Sequence, residues 1–95
     1  MKFVYTSHFK FRAKQRRVPF KLAREIFANS KENYLDNLRG HHIKIAKMKF
    51  NKKVKTIMLS YDIMNKTIEF ITIHPIRDKE VENKISSGRW KYEKN

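Results

Sequence analysis

Alternating and helical patterns of apolar residues divide the first third of the chain into one strand and two helices. The segment KFVYT (2–6) alternates β-forming side chains and predicts a short strand. Ser7 suits the N-cap of a following helix, which should run to about Arg17 before Val18-Pro19 interrupts it. The next segment, PFKLAREIFANS (19–30), predicts an amphipathic helix that packs on the core. Its apolar side consists of Phe20, Leu22, Ala23, Ile26 and Phe27.

The rest of the chain alternates mostly with a period of two, which predicts a sheet. Strands are expected at 41–50, 54–63 and 67–74, after an irregular strand or loop at 32–40. Asn65-Lys66 has the composition of a two-residue hairpin turn. A short helix at 77–88, closed by Gly88, follows the last strand. The order β-α-α-β-β-β-β-α predicts one α+β domain over residues 1–95, with a mostly antiparallel sheet and the two N-terminal helices packed on it.

Charge narrows the choice of partner. The chain has 23 Lys+Arg against 9 Asp+Glu, a formal charge of +14. The excess lies mainly in residues 1–31 and 41–66, which favours a polyanionic partner: nucleic acid first, then an acidic protein, then an anionic membrane. A generally lysine-rich solvated surface is the alternative explanation. The absence of cysteine excludes disulfides and thiolate metal sites and fits a cytoplasmic protein. No apolar stretch approaches the roughly 18 residues of a membrane span, so no membrane partner is expected.

A stripe of basic side chains runs along the first predicted helix. His8, Arg12 and Arg16 are spaced at i, i+4 and i+8 and therefore share one helix face. Like charges at this spacing destabilise an isolated helix by a few tenths of a kcal/mol per pair. We call these three residues the basic stripe and ask what offsets their repulsion.

The basic stripe carries a family resemblance. The segment YTSHFKFRAKQRRVPFKLAREIF, with its H-x-x-x-R-x-x-x-R spacing, and the strand FITIHP (70–75) resemble a domain family of bacteria and archaea. The resemblance covers about residues 3–76. That family is similar to the BrnT toxins and, more remotely, to the RelE/ParE toxin superfamily. The resemblance implies a small basic α+β protein that cuts RNA and is held inactive by a small acidic or DNA-binding antitoxin.

Metal-independent RNA cleavage needs a base, an acid and cations that stabilise the phosphorane. Under this hypothesis His8 is the base or acid, and Arg12 and Arg16 clamp the phosphate. The alternative is structural: His8 caps the helix or packs between helix and sheet, and the arginines pair with acidic side chains. The available carboxylates for such pairs are Glu32, Asp36 and Asp62.

Two further catalytic candidates, Tyr61 and His74, lie on neighbouring predicted strands and could meet on one sheet face. Otherwise Tyr61 lies at the edge of the core and His74 is a surface residue at a strand end. His41 and His42 do not make a metal pair, because adjacent strand residues point to opposite faces. No metal site and no cofactor are predicted.

Nucleic-acid contacts are expected from cations outside the catalytic set. The lysines around one hairpin have the composition of a phosphate-contacting arm or, alternatively, of a solvated turn. At the C-terminus, Arg89 and Lys91 interleave with Trp90 and Tyr92, as in nucleotide-stacking sites, unless the tail packs back on the sheet. The predicted nucleic-acid-binding residues are Lys10, Lys14, Arg17, Lys44, Lys47, Lys49, Lys52, Lys53 and Arg89.

The sequence therefore predicts a toxin-type endoribonuclease that binds RNA, free or on the ribosome, and pairs with a small acidic antitoxin. A non-catalytic nucleic-acid-binding module of the same fold is the alternative. A third possibility is a basic surface that chiefly docks an acidic protein partner.

Overall fold

A computed structural model describes residues 1–94, which form three helices and one six-stranded sheet. The elements are β1 (Lys2–Tyr5), α1 (Ser7–Gln15), α2 (Lys21–Asn29), β2 (Glu32–Asp36), β3 (His42–Phe50), β4 (Lys53–Met64), β5 (Thr67–Pro75), α3 (Asp78–Ser86) and β6 (Trp90–Tyr92). The strand order is β1-β5-β4-β3-β2-β6, and β1 pairs in parallel with β5 while the other described neighbours are antiparallel. The α+β class is confirmed, with a mixed sheet.

The predicted element order is correct except at the end of the chain, where β6 was not predicted. The C-terminal tail packs back on the sheet, and β6 pairs with β2. Trp90 is buried there and its ring stacks on Tyr34 at 5.9 Å between centroids, whereas Tyr92 stays exposed. None of the helices formed by residues 1–94 has the length and hydrophobicity that crossing a bilayer requires.

The two N-terminal helices cover one face of the sheet, which we call the helical face. As predicted, α2 turns its apolar side inward: Ile26 is fully buried, and the half-buried Phe27 meets the edges of Phe3, Tyr61 and Phe70. The opposite face carries a smaller apolar cluster under α3. Its members are Tyr34, Ile43, Ile45, Met58, Ile76, Val81 and Trp90.

Helix α1 is attached to the edge of the sheet at the point where β1 ends. Thr6, not Ser7, is its N-cap: Thr6 Oγ1 accepts a hydrogen bond from the Phe9 N–H (3.1 Å) and donates one to the Phe70 carbonyl (2.8 Å). β1 pairs only with residues 67–70 of β5, and α1 packs against β5 beyond that point. This attachment fixes the orientation of α1, so that His8 lies at the cleft described below.

A β-bulge in β5 shapes the face opposite the helices. Ser60 pairs with Thr72 and Tyr61 pairs with Phe70, so Ile71 is an extra residue on the β5 side. Ile71 and Thr72 consequently lie on the same side of the sheet, and both line a cleft there. Bulges commonly re-aim side chains next to functional sites.

Candidate functional site

A cleft of about 320 Å³ opens on the face of the sheet opposite α2 and reaches His8 of α1 at its edge. We call it the α3-side cleft; α1, α3, β6 and the β2–β3 turn form its rim. Its volume is at the lower end of the range for small-molecule pockets, about 300–1,000 Å³. Its apolar lining consists of Ile43, Met58, Ile71, Ile76 and Trp90. Its polar lining consists of His8, Asp36, Arg39, His41, Ser60, Thr72, His74, Glu80, Lys84 and Arg89.

The basic stripe borders this cleft. His8 is exposed and lines it, and Arg16 Nη1 donates a hydrogen bond to Thr72 Oγ1 at 3.3 Å. Arg12 Nη1 donates to Gln15 Oε1 at 3.3 Å. Burial and the charge of Arg12 lower the pKa of Arg16, so the two guanidiniums repel each other while both remain charged.

Carboxylates do not neutralise the basic stripe. The three ion pairs found among residues 1–94 are His41–Asp62, His42–Glu93 and Arg89–Asp36. Two of the acidic residues considered as partners, Asp36 and Asp62, are therefore engaged elsewhere. The structural alternative for the arginines, pairing with acidic side chains, is wrong because no carboxylate among residues 1–94 pairs with Arg12 or Arg16. His8 does not cap α1 either, since Thr6 does.

His74 also lines the cleft, and its imidazole is neutral. Its Nδ1 lies 2.7 Å from the Pro75 carbonyl and must donate to it, which leaves Nε2 as the acceptor. Burial lowers the pKa of His74, and the charges of Arg16 and Arg12 lower it further, against the opposing effects of the Pro75 bond and Glu80. The imidazole is therefore uncharged near neutral pH.

A second oriented imidazole, His41, was missed as a catalytic candidate. Its Nδ1 lies 2.7 Å from Asp62 Oδ1, so the carboxylate holds the ring and leaves Nε2 free in the cleft. The sequence could have predicted this contact. If a hairpin pairs Phe50 with Lys53, the same register pairs His42 with Tyr61 and places His41 opposite Asp62.

His41 and His42 point to opposite faces, as predicted. His42 Nδ1 lies 2.6 Å from Glu93 Oε1, and the His42 ring stacks on Tyr61 at the helical face. Within residues 1–94, no group of three His, Cys, Asp or Glu side chains is arranged to hold a metal ion.

The expectation that Tyr61 and His74 meet on one face is wrong. His74 pairs with Met58, and Tyr61 lies three residues further along β4 and therefore on the other face. Tyr61 is only 4% exposed and meets the edge of Phe27 at 5.1 Å, so it belongs to the core. Burial raises its pKa to about 12, with a further contribution from the charge of Glu93.

Lys44 is also not a phosphate contact. It is 4% exposed at the helical face, its Nζ donates to Asn33 Oδ1 and to the Ser30 carbonyl, and it lies 5.4 Å from the centroid of the Phe27 ring. Burial lowers its pKa. The period of β3 explains the error, because Lys44 shares its face with Ala46 and Met48 of the core.

The other predicted contacts are exposed, with one exception. Arg89 uses Nε (2.8 Å) and Nη2 (3.2 Å) to bind the carboxylate of Asp36 at the rim of the cleft. Burial raises the pKa of Asp36, but hydrogen bonds from Arg89 and from the Leu38 and Arg39 N–H groups outweigh it and hold the pKa below its usual value. The exposed cations are Lys10, Lys14, Arg17, Lys47, Lys49, Lys52 and Lys53.

The cleft thus combines two oriented imidazoles and an apolar lining with the neighbouring Arg16, for which residues 1–94 supply no carboxylate partner. Neutral imidazole can transfer protons near pH 7, and guanidinium groups can bind the oxygens of a phosphodiester. Comparison of the chain with protein-family models, with curated proteins and with solved structures finds no match.

Proposed function

We propose that this protein is a metal-independent endoribonuclease of the toxin type. The observation that supports this most is the meeting of Arg16, His74 and His41 at one cleft, with the charge of Arg12 acting on Arg16 and His74. Among residues 1–94 no carboxylate pairs with either arginine. A phosphate in the cleft would offset the repulsion along the basic stripe.

The two imidazoles supply the base and the acid. His74 Nε2 takes the proton of the ribose 2′-hydroxyl, because this imidazole is neutral at pH 7. O2′ then attacks phosphorus, and the bond from phosphorus to O5′ breaks. His41 Nε2 delivers a proton to the departing O5′, while Asp62 orients the ring through Nδ1. The products are a 2′,3′-cyclic phosphate and a 5′-hydroxyl.

The cations act on the phosphate itself. Arg12 and Arg16 bind the non-bridging oxygens and stabilise the charge that develops on the phosphorane. His8, at the mouth of the cleft, contacts the incoming strand beside the phosphate. The exposed lysines at the tip of the β3–β4 hairpin supply sequence-independent attraction to the backbone.

The finer assignment to a RelE/BrnT-like arrangement is part of the same proposal. It is supported by the order of the first seven elements and by the position of the basic stripe beside the strand FITIHP. In that arrangement a small acidic antitoxin covers the cations of a chain whose formal charge is +14, and both proteins act in the cytoplasm.

The test is cleavage of single-stranded RNA in excess EDTA, with the ends of the products identified. We expect cyclic phosphate ends, and a loss of on the order of a hundredfold in rate for Arg12→Ala and for His74→Ala. Lys21→Ala is the matched control, since it removes one exposed cation from the outer side of α2 and should leave the rate unchanged. Equal rates for Arg12→Ala and wild type, purified identically, would overturn the enzyme assignment.

The alternative, a non-catalytic RNA-binding module, is favoured by the same unneutralised arginines. It predicts that Arg12→Ala weakens RNA binding although wild-type protein leaves the RNA intact. The binding measurement made beside the cleavage assay separates the two functions.

A further inference from the structure

The inner part of the α3-side cleft holds a polar atom that no other group satisfies. Ser60 is 3% exposed, and its Oγ is the one buried side-chain oxygen or nitrogen in the described residues without a hydrogen-bond partner. Leaving a buried hydroxyl unpaired is destabilising, and native proteins contain few such groups. Ser60 lines the cleft, so a ligand there could supply the missing partner.

The surroundings of this hydroxyl are apolar, unlike the rim. Ile43 and Thr72 are the partners of Ser60 on the two neighbouring strands, and Ile43, Ile71 and Trp90 line the cleft with it. The charged side chains of Asp36, Arg39, Glu80, Lys84 and Arg89 also line the cleft, and Arg16 lies beside it through Thr72. An apolar patch beside an unpaired hydroxyl suits a flat heteroaromatic ring better than a bare phosphate.

We infer that the cleft seats one unpaired nucleobase of a single-stranded RNA, with Ser60 Oγ hydrogen-bonded to the base edge and the attached phosphate on the basic stripe. The inference rests on the proposed function and adds the class of substrate and a specificity-determining residue. The cleft volume of about 320 Å³ is sufficient for a single base. Single-stranded RNA is commonly recognised through splayed bases held by apolar and aromatic groups.

The fluorescence of Trp90 can report whether the cleft is occupied. Trp90 is the only tryptophan of the chain, it lines the cleft and it is 3% exposed. Titration of intrinsic fluorescence with each nucleoside 3′-monophosphate, and separately with inorganic phosphate, therefore reports occupancy of this cleft. We expect a fluorescence change with nucleotides, binding at least tenfold tighter than phosphate, and unequal affinities among the four bases.

Ser60→Ala tests the hydrogen bond. It should weaken the preferred nucleotide about fivefold to tenfold, the value of one hydrogen bond, reduce the differences among bases and leave phosphate binding unchanged. Its stability should be equal or higher, since the unpaired hydroxyl is gone. Ser86→Ala, on the exposed side of α3, is the matched control and should change nothing.

The wild-type titration needs no variant to fold and decides the inference by itself. The proposal that the cleft binds a base would be wrong if nucleotides bind no tighter than inorganic phosphate, or if the four nucleotides bind equally, even if RNA is cleaved. Nucleotide binding with base preference but no cleavage would instead support the seat and overturn only the enzyme.

Discussion

The two faces of the sheet are built in contrasting ways. The helical face is filled with aromatic rings whose centroids lie 5.1–6.3 Å apart, and its core residues are almost entirely buried. These rings belong to Phe3, Tyr5, Phe9, Phe20, Phe27, Tyr61 and Phe70. The α3 side has a smaller cluster, an open cleft and an unpaired hydroxyl. Concentrating apolar burial on one face leaves the other free to carry polar groups around an open cleft.

Helix α1 contacts both the aromatic core and the cleft. This explains how the helix tolerates the repulsion between its basic side chains. Phe9 and Ala13 are fully buried in the aromatic core, while His8 lines the cleft and Arg16 reaches Thr72 there. Tertiary packing supplies most of the stability of a short helix, so the loss of a few tenths of a kcal/mol per like-charged pair is tolerated.

Removing one aromatic ring from the helical face should lower the free energy of unfolding more than any other change considered. Phe70 is fully buried and contacts four other rings, so Phe70→Ala should cost about 3–5 kcal/mol of unfolding free energy. Thr72→Ala, two residues along the same strand but on the cleft side, should cost less than about 1 kcal/mol. Urea denaturation measures both, and equal losses would contradict the division between the faces.

On the α3 side, stability should depend on the hydrogen bonds that Asp36 accepts. Asp36→Asn should cost about 2–3 kcal/mol, because it weakens charge-assisted hydrogen bonds from Arg89 and two backbone N–H groups. The pKa of Asp36 is lowered on folding, so its contribution is complete above the unfolded pKa of about 3.8 and is lost as pH falls through the lower folded value. Denaturation of both proteins from pH 6 down to pH 2 should show their stabilities converging.

A pair of lysines on the same strand should separate the faces by their response to salt. Lys49 is exposed and Lys44 is buried at the helical face. Lys49→Met should reduce the slope of log affinity for single-stranded RNA against log salt by about 0.7, the value for one phosphate contact. Lys44→Met should leave the slope unchanged. A change in slope for Lys44→Met alone would place RNA on the wrong face.

The smallest effect should be a pH dependence from His74. Its pKa is lower in the folded protein than the ordinary 6.5, so the unfolded chain binds the proton first. Stability from this group is complete above about pH 6.5 and falls as pH drops from there towards the folded pKa. His74→Gln should flatten that part of the stability curve, and RNA or phosphate binding should raise the pKa of His74 in an NMR titration.

Local patterns predicted most of the fold. The strands and hairpins followed from period-two alternation and from the turn residues Asn51 and Asn65, both of which adopt positive φ. β6 was missed because three residues carry too little periodicity to predict a strand. The cap was misplaced by one residue, since Thr6 and Ser7 are equally good cap residues and only the bond to Phe70 distinguishes them.

The site was predicted in part, and the errors have physical causes. The separation of His41 and His42 onto opposite faces was predicted correctly, because the strand period fixes which side chains share a face. Tyr61 was misassigned because pairing register across β4 and β5, with a bulge between, is not readable from either strand alone. Lys44 was misassigned because a buried lysine satisfied by Asn33 has the same local pattern as an exposed one.

The bulge at Ile71 has a consequence for how this sheet can change in length. Deleting one residue inside an interior strand ordinarily turns every later side chain to the opposite face. Deleting Ile71 would instead restore plain alternation, with Phe70 and Ile73 still directed to the core and Thr72 and His74 still directed to the cleft. A three-nucleotide deletion at this codon could therefore reshape the floor of the cleft without reversing the strand, a kind of variation that sheets usually permit only in their loops.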